Sequence, residues 1–266
     1  MNPWLGILFV LAVLGAAFIL LRLLEKAVSP HPEVLRKLMH LLMGLVTASF
    51  PWLFDQAWPV LVLAGGSTAA LVFIRSGVSV TRSLHGVLHG VERASWGELL
   101  FPVSVAIVFV LAKGDPLLYS VPILILTLAD AVAALIGIYY GHVQFKTLEG
   151  SKSIEGSLAF FIVAFLCVHI AVLLFTETGR AESLLIGLLM GVVVMMFEAV
   201  AWRGLDNLFI PLASFALLKT YLDLDAAGLS LRLVIILLLG LFLLFWRRRS
   251  TLDDSALIGA GLVAYG

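Results

Sequence analysis

Four stretches place ionisable side chains where an otherwise apolar chain has least reason to carry them. In RKLMHLLMG, Arg36 to Gly44, His40 lies four residues from Arg36 and three from Lys37. On a helix all three share one face, which Gly44 continues. Two cations and an imidazole at a helix start can hold phosphate oxygens; they can equally form a basic anchor, with His40 merely hydrogen-bonded. In LADAVAALIGIYYG, Leu128 to Gly141, Asp130 sits inside an apolar span. Ala129, Ala133, Gly137 and Gly141 recur every four residues and form a small-residue face for close helix packing. Asp130 lies beside that face and is expected to point into the bundle. A carboxylate there needs a partner, either Mg²⁺ or a cation on another helix.

The stretch FKTLEGSKSIEGSLAF, Phe145 to Phe160, holds two lysines, two glutamates, three serines and two glycines ahead of an apolar run. Ser153 can cap the following helix, and Glu155 in its first turn suits the helix dipole. Lys152 at the same end opposes that dipole. With the hydroxyls of Ser151 and Ser153 and free backbone N–H groups it makes an anion site. Gly150 and Gly156 are expected to let the backbone approach a ligand closely. The order GSKS lacks the earlier glycine of a Walker A loop. In FEAVAWRGLDNLFIP, Phe197 to Pro211, Glu198 ends one apolar run, and Asp206 and Asn207 open the next across Arg203-Gly204. Asp206 also reads as a helix cap. Lysine and arginine on phosphate oxygens, with carboxylates on Mg²⁺, suit a nucleotide polyphosphate. That makes Asp130, Glu198 and Asp206 candidate metal ligands. A weaker signal is His85, His89 and Glu92, which share a helix face at metal-ligand spacing or form a solvated polar face. Glu98 suits a helix first turn as a dipole partner.

The elements that must position these groups are transmembrane. Of 266 residues, 62% are hydrophobic and 13% charged, and the mean hydropathy is +1.11. Soluble domains carry about twice that share of charge. The fold expected is an all-α polytopic bundle of nine spans, at about 4–24, 35–54, 57–74, 99–113, 117–141, 153–175, 183–201, 207–222 and 229–246. An interfacial amphipathic helix is expected between Arg75 and Glu98, where Val80, Leu84, Val87, Leu88 and Val91 recur at helical spacing. The whole chain reads as one domain with its core at 30–220; residues 250–266 read as a half-span or the start of a further segment. The first apolar run lacks a basic flank and reads as a retained span. Alternating nine spans puts thirteen Lys and Arg residues on one side and four on the other. The positive-inside bias then places the four clusters on the cytoplasmic side of a membrane, as in a bacterial plasma membrane, with the N-terminus outside. Zero net charge gives no sign of a nucleic-acid partner. The single cysteine, Cys167, excludes an internal disulfide.

RKLMHLLMG, then LADAVAALIGIYYG followed by SKSIEGS, then FEAVAWRGLDNLFIP resemble the polyprenol kinase family. That family includes dolichol kinase, phytol kinase and the CTP-dependent diacylglycerol kinase. The resemblance covers about residues 30 to 220. It implies a multi-span enzyme that moves the γ-phosphate of CTP to a lipid alcohol with Mg²⁺. The middle segment, Asp130 followed by Lys152, Ser153, Glu155 and Gly156, also resembles CDP-diacylglycerol synthase. The glycine-rich HGG segment and closely spaced acidic residues of that synthase are missing, and Glu198 with Asp206 and Asn207 stand instead, which favours the kinase branch. The expected reaction is phosphorylation of a phytol-like or polyprenol alcohol. Asp130 is expected on Mg²⁺, and Lys152, Ser153 and Gly156 with Arg36, Lys37 and Asn207 on CTP. Glu198 or Asp206 completes the metal site or accepts the alcohol proton, and His40 is the reserve base. The rival readings are cytidylyl transfer to phosphatidate, a diacylglycerol kinase, and a transporter of a small anion; no internal repeat favours the last.

Overall fold

A computed structural model of the chain describes residues 2–75, 96–148, 150–247, 249–250 and 252–265. The expected interfacial helix, with Arg82, His85, His89, Glu92 and Arg93, lies outside the described residues. The chain divides into two compact units, Met1–Thr127 with Arg203–Pro211, and Leu128–Trp202 with Leu212–Gly266.

In the first unit, α1 (Pro3–Val28) starts where the Asn2 side chain accepts the Trp4 N–H, and ends at Ser29 in the left-handed conformation. It buries only Gly6, Ile7, Val10 and Leu21 and exposes most of its other large apolar side chains, as a lipid-facing helix does. Helix α2 (Pro32–Ala48) follows, then the single turn α3 (Phe50–Leu53) and α4 (Ala57–Arg75). Helix α5 (Gly97–Ala112) packs on α4. Helix α6 (Pro116–Leu124) opens with Asp115 accepting the Leu117 and Leu118 N–H groups. It packs on the end of α2, where the Tyr119 hydroxyl donates to the Thr47 carbonyl and the Ser120 hydroxyl to the Ala48 carbonyl, each at 2.9 Å. Those are carbonyls a helix end leaves unsatisfied. Beyond Pro122 the helix widens into a π turn, Ile125–Ala129.

In the second unit the helix continues as α7 (Asp130–Tyr140). A short antiparallel hairpin follows, β1 (Gln144–Thr147) and β2 (Gly150–Ser153), with Phe145 opposite Lys152. Helices α8 (Ile154–Phe175) and α9 (Arg180–Val200) form the main packed pair of this unit. Their contact is a ladder of rings against small residues. Phe161, Phe165 and His169 stack along α8 and lie over Gly191, Gly187 and Ser183 of α9. A Cβ on Gly191 would meet Phe161 at 3.0 Å, and one on Gly187 would meet Phe165 at 3.0 Å. The Ser183 hydroxyl lies 3.0 Å from His169 Nδ1. Helix α10 (Asp206–Leu222) begins in the first unit's residues and ends in the second's. Helix α11 (Ala226–Arg247) leads to α12 (Asp254–Tyr265), which packs on α9 and α11. Arg247 pairs with Asp254 at their junction, and the Tyr265 and Tyr221 hydroxyls meet at 2.7 Å. Residues 254–265 form a helix of 12 residues, about 18 Å long.

The chain is an all-α membrane protein apart from the hairpin, but nine spans are not supported. Among the described residues, six segments are long and apolar enough to cross: Pro3–Val28, Ala57–Arg75, Pro116–Tyr140, Ile154–Phe175, Arg180–Val200 and Ala226–Arg247. The other three expected spans are helices, but α2 and α10 have 17 residues and α5 has 16. At 1.5 Å per residue they reach about 25 Å, short of a hydrocarbon core of roughly 30 Å. Glu33, Arg36 and Lys37 at the start of α2, and Asp206 and Asn207 at the start of α10, shorten the apolar run further.

Candidate active site

The small-residue face of α7 does what its spacing predicts. Gly137 and Gly141 lie against Ser153, and Gly156 lies against the Ala133 carbonyl; a Cβ on Gly156 would stand 2.9 Å from that oxygen. Gly156 therefore serves helix contact, where ligand approach was expected. Gly150 has φ +132° with open space around its Cα, so its role is conformational. Ser153 caps α8 by accepting the Gly156 N–H at 3.1 Å and is buried. Glu155 accepts the Val143 N–H and ties the hairpin base to the helix start. Asp130, half-buried, opens α7 directly after the π turn. It precedes Gly137 by seven residues, a rise of about 10 Å along the helix from the point where Ser153 rests.

Lys152 answers the puzzle of its position. Its ammonium donates to Glu198 Oε1 at 2.5 Å and also to the Glu198 backbone carbonyl. It opposes the dipole of α8 but caps the C-terminal end of α9, where a cation is favourable. Glu198 is 9% exposed, and Lys152 is half-buried. The structure thus brings together two of the expected site residues, 46 positions apart. Sequence reasoning missed the pairing, although a signal existed. Lys152 at a helix start and Glu198 at a helix end each oppose their own dipole, and in consecutive helices joined by a short loop those two ends adjoin.

The first unit gathers its own polar groups. Arg36 makes a bidentate pair with Glu33 one turn earlier, at 3.0 and 2.5 Å. This is an exposed contact worth at most about 1 kcal/mol. Lys37 is buried, with 6% exposure. His40 packs edge-on against Phe101, with ring centres 5.2 Å apart, and its Nε2 lies 3.4 Å from the Leu126 carbonyl in the π turn. One turn on, Gly44 admits Thr127 so closely that a Cβ there would stand 2.0 Å from the threonine hydroxyl. Asp206 is the first residue of α10 and accepts the Asn207 N–H at 3.0 Å. Asn207 Oδ1 is buried and has no hydrogen-bond partner among the described residues. Glu98 forms an ion pair with Arg75 at 3.6 Å, a role beyond the dipole partner expected of it.

Among the described residues no three His, Cys, Asp or Glu side chains stand close enough to enclose a metal ion. Mg²⁺ needs no such cage, since it keeps waters and takes one or two carboxylates plus substrate phosphates. Asp130 and Glu198 carry oxygen donors of the type that Mg²⁺ takes.

The fold and these charges define an integral-membrane, all-α protein with ionisable groups set at its helix ends. A phytol kinase of Synechocystis sp. is 27% identical over 213 residues, covering 79% of this chain and 89% of that protein. The likeness to that protein runs over most of both chains and agrees with the resemblance of the four motifs to the polyprenol kinase family. No protein-family model and no solved structure matches the chain.

Proposed function

We propose that the protein is a kinase of an isoprenoid alcohol, phytol-like or polyprenol, that takes the γ-phosphate of CTP at the cytoplasmic membrane face. The observation that carries the kinase reading is the relative named phytol kinase, which aligns over most of both chains. CTP and the isoprenoid class rest on the resemblance of the four motifs.

In this reading the alcohol oxygen bonds to the γ-phosphorus, the bond from that phosphorus to the CDP oxygen breaks, and the alcohol proton leaves to a carboxylate. Asp130 and Glu198 are the residues of the second unit that would hold Mg²⁺, which neutralises charge on the phosphate oxygens when bound. Lys152 exchanges its Glu198 contact for phosphate oxygens and neutralises the charge that develops on the leaving CDP. Glu198, relieved of the lysine, is then an oxygen donor for metal or proton. An alcohol is a poor nucleophile at neutral pH, so positioning and proton removal govern the rate. Arg36, Lys37, His40, Asp206 and Asn207 enter this reading through residue type, and single substitutions decide the part of each.

The test is purified protein with Mg²⁺, CTP and, separately, phytol, farnesol, undecaprenol, diacylglycerol and phosphatidate. Phosphorylation of phytol or a polyprenol, lost in Asp130→Asn, supports the reading. Turnover on diacylglycerol or phosphatidate in preference to every isoprenoid alcohol overturns it.

A further inference from the structure

At the far end of the first unit from Arg36 and His40, the turns after α3 and α5 border a half-open cavity of about 350 Å³, with Asp55 and Lys113 exposed at its rim. Phe54, Phe109 and Tyr119 line its apolar wall, and Asp55, Lys113 and Asp115 line its polar side. The wall is rigid: the Phe109 and Tyr119 rings meet edge-on at 5.2 Å, and Phe54 packs edge-on against Phe50 at 5.4 Å. Asp115 is committed to capping α6. Asp55 and Lys113 are different. They carry opposite charge and line the same cavity, yet among the described residues neither forms an ion pair or a side-chain hydrogen bond.

Two further observations bear on what this cavity could hold. Lys113 holds φ +51° at the end of α5, a conformation that costs an ordinary residue energy and usually belongs to glycine or asparagine. The cavity is also flanked by tryptophans. Trp52 and Trp58 adjoin its lining residues Pro51 and Ala57. Trp58 meets Trp4 at 5.0 Å, and Trp4 and Trp52 are 63% and 68% exposed. Tryptophans gathered this way sit at headgroup level.

We infer that this cavity binds the headgroup of an ethanolamine phospholipid, with its phosphate on Lys113 and its ammonium on Asp55. An anionic headgroup would leave Asp55 facing like charge. A choline headgroup has no N–H to donate to the carboxylate, whereas a primary ammonium makes a charge-assisted hydrogen bond there. The site is separate from the residues proposed for phosphoryl transfer, and its occupant stands whether or not the kinase reading does.

The test is thermal unfolding of the detergent-purified protein titrated with phosphatidylethanolamine, phosphatidylcholine or phosphatidylglycerol. It compares wild type, Lys113→Gly and Asp55→Asn. The ethanolamine lipid is expected to raise the wild-type midpoint at concentrations about tenfold below the other two, a loss of one charge-assisted contact being worth about that factor. Lys113→Gly relieves the positive φ and is expected to unfold at a higher temperature without lipid, while losing the ethanolamine response; Asp55→Asn is expected to lose the preference over choline. An undiminished response in Lys113→Gly, an equal response to all three lipids, or no response in wild type overturns the inference.

Discussion

Lys152 and Glu198 close the ends of two adjacent helices on each other: the ammonium lies 2.5 Å from the Glu198 carboxylate and also holds the Glu198 backbone carbonyl. One lysine thereby caps α9 and neutralises a mostly buried carboxylate. The same two side chains are the ones whose types suit phosphate and metal. In the proposed reading their pairing is a resting arrangement that a polyanionic nucleotide opens, because it offers the lysine several oxygens in place of one carboxylate.

The energetic side of that pair is measurable without any substrate. Lys152→Ala strands a carboxylate that is 9% exposed, and removing one partner of a buried pair costs up to about 3 kcal/mol. Glu198→Gln alone is expected to cost less. The double variant is expected to recover about 1–2 kcal/mol of the summed loss. Chemical denaturation of the four proteins in detergent supplies the cycle, and simple additivity would show that the pair contributes nothing.

Asp130→Asn keeps the shape of the side chain and removes its charge. Loss of a charge that stabilises the transition state lowers turnover by about 10²–10³-fold. The unfolding midpoint, measured on the same preparation, separates a charge lost from the site from a fold that is lost. A kinase rate within threefold of wild type, roughly 0.6 kcal/mol by transition-state arithmetic, would remove Asp130 from the site.

His40 distinguishes a base from a packing group. Its Nε2 faces the Leu126 carbonyl at 3.4 Å and its ring rests on Phe101. His40→Gln retains a hydrogen-bond donor but no titratable group. The expected result is a kcat within about tenfold of wild type and a pH profile of unchanged form. General-base catalysis is typically worth 10²–10⁴-fold, so a larger fall, together with a lost acidic limb, would assign the proton transfer to His40.

The close approach of Gly44 to Thr127 fixes the π turn that precedes Asp130. Gly44→Ala is expected to destabilise by about 1–3 kcal/mol, the usual range for overpacking. Thr127→Ala is expected to restore part of the loss, since the hydroxyl and methyl that a Cβ would meet at 2.0 and 2.4 Å are then gone. Failure of the second substitution to rescue the first would place the strain elsewhere.

The ring ladder between α8 and α9 gives a similar contrast. Gly191→Leu forces a branched side chain into Phe161 and is expected to lower the unfolding midpoint sharply. Gly15→Leu on α1 has no neighbour within 4 Å of its Cβ and is expected to change little. Equal effects in thermal scans would mean that helix propensity, and not packing, sets the outcome.

Several of these features were legible in the sequence because their cause is local. The four-residue spacing of Ala129, Ala133, Gly137 and Gly141 announces a close helix contact, and Ser153 and Glu155 announce a helix start. The Lys152–Glu198 pair was not read, because it joins residues 46 positions apart and depends on which helices adjoin. The hairpin of residues 144–153 leaves no signal in the sequence, since two strands of four residues each carry too short an alternation to register. The span count failed for another reason. Apolar composition marks a helix as buried or lipid-facing, but whether it crosses depends on length: α2 and α10 carry charge in their first turns, and α5 stops at Lys113. The π turn left no trace either: Pro122 warns of a break in the helix, and its repair depends on Gly44 and His40 of a different helix.

The central claim concerns which bond of the nucleotide breaks. Purified protein, Mg²⁺ and phytol would be incubated with CTP labelled at the γ-phosphate and, in a parallel reaction, at the α-phosphate. The account predicts that the γ label moves into the lipid product while the α label stays in CDP. Transfer of the α label to lipid with release of pyrophosphate would contradict it in favour of cytidylyl transfer. Intact CTP alongside anion flux across sealed vesicles would contradict it in favour of transport.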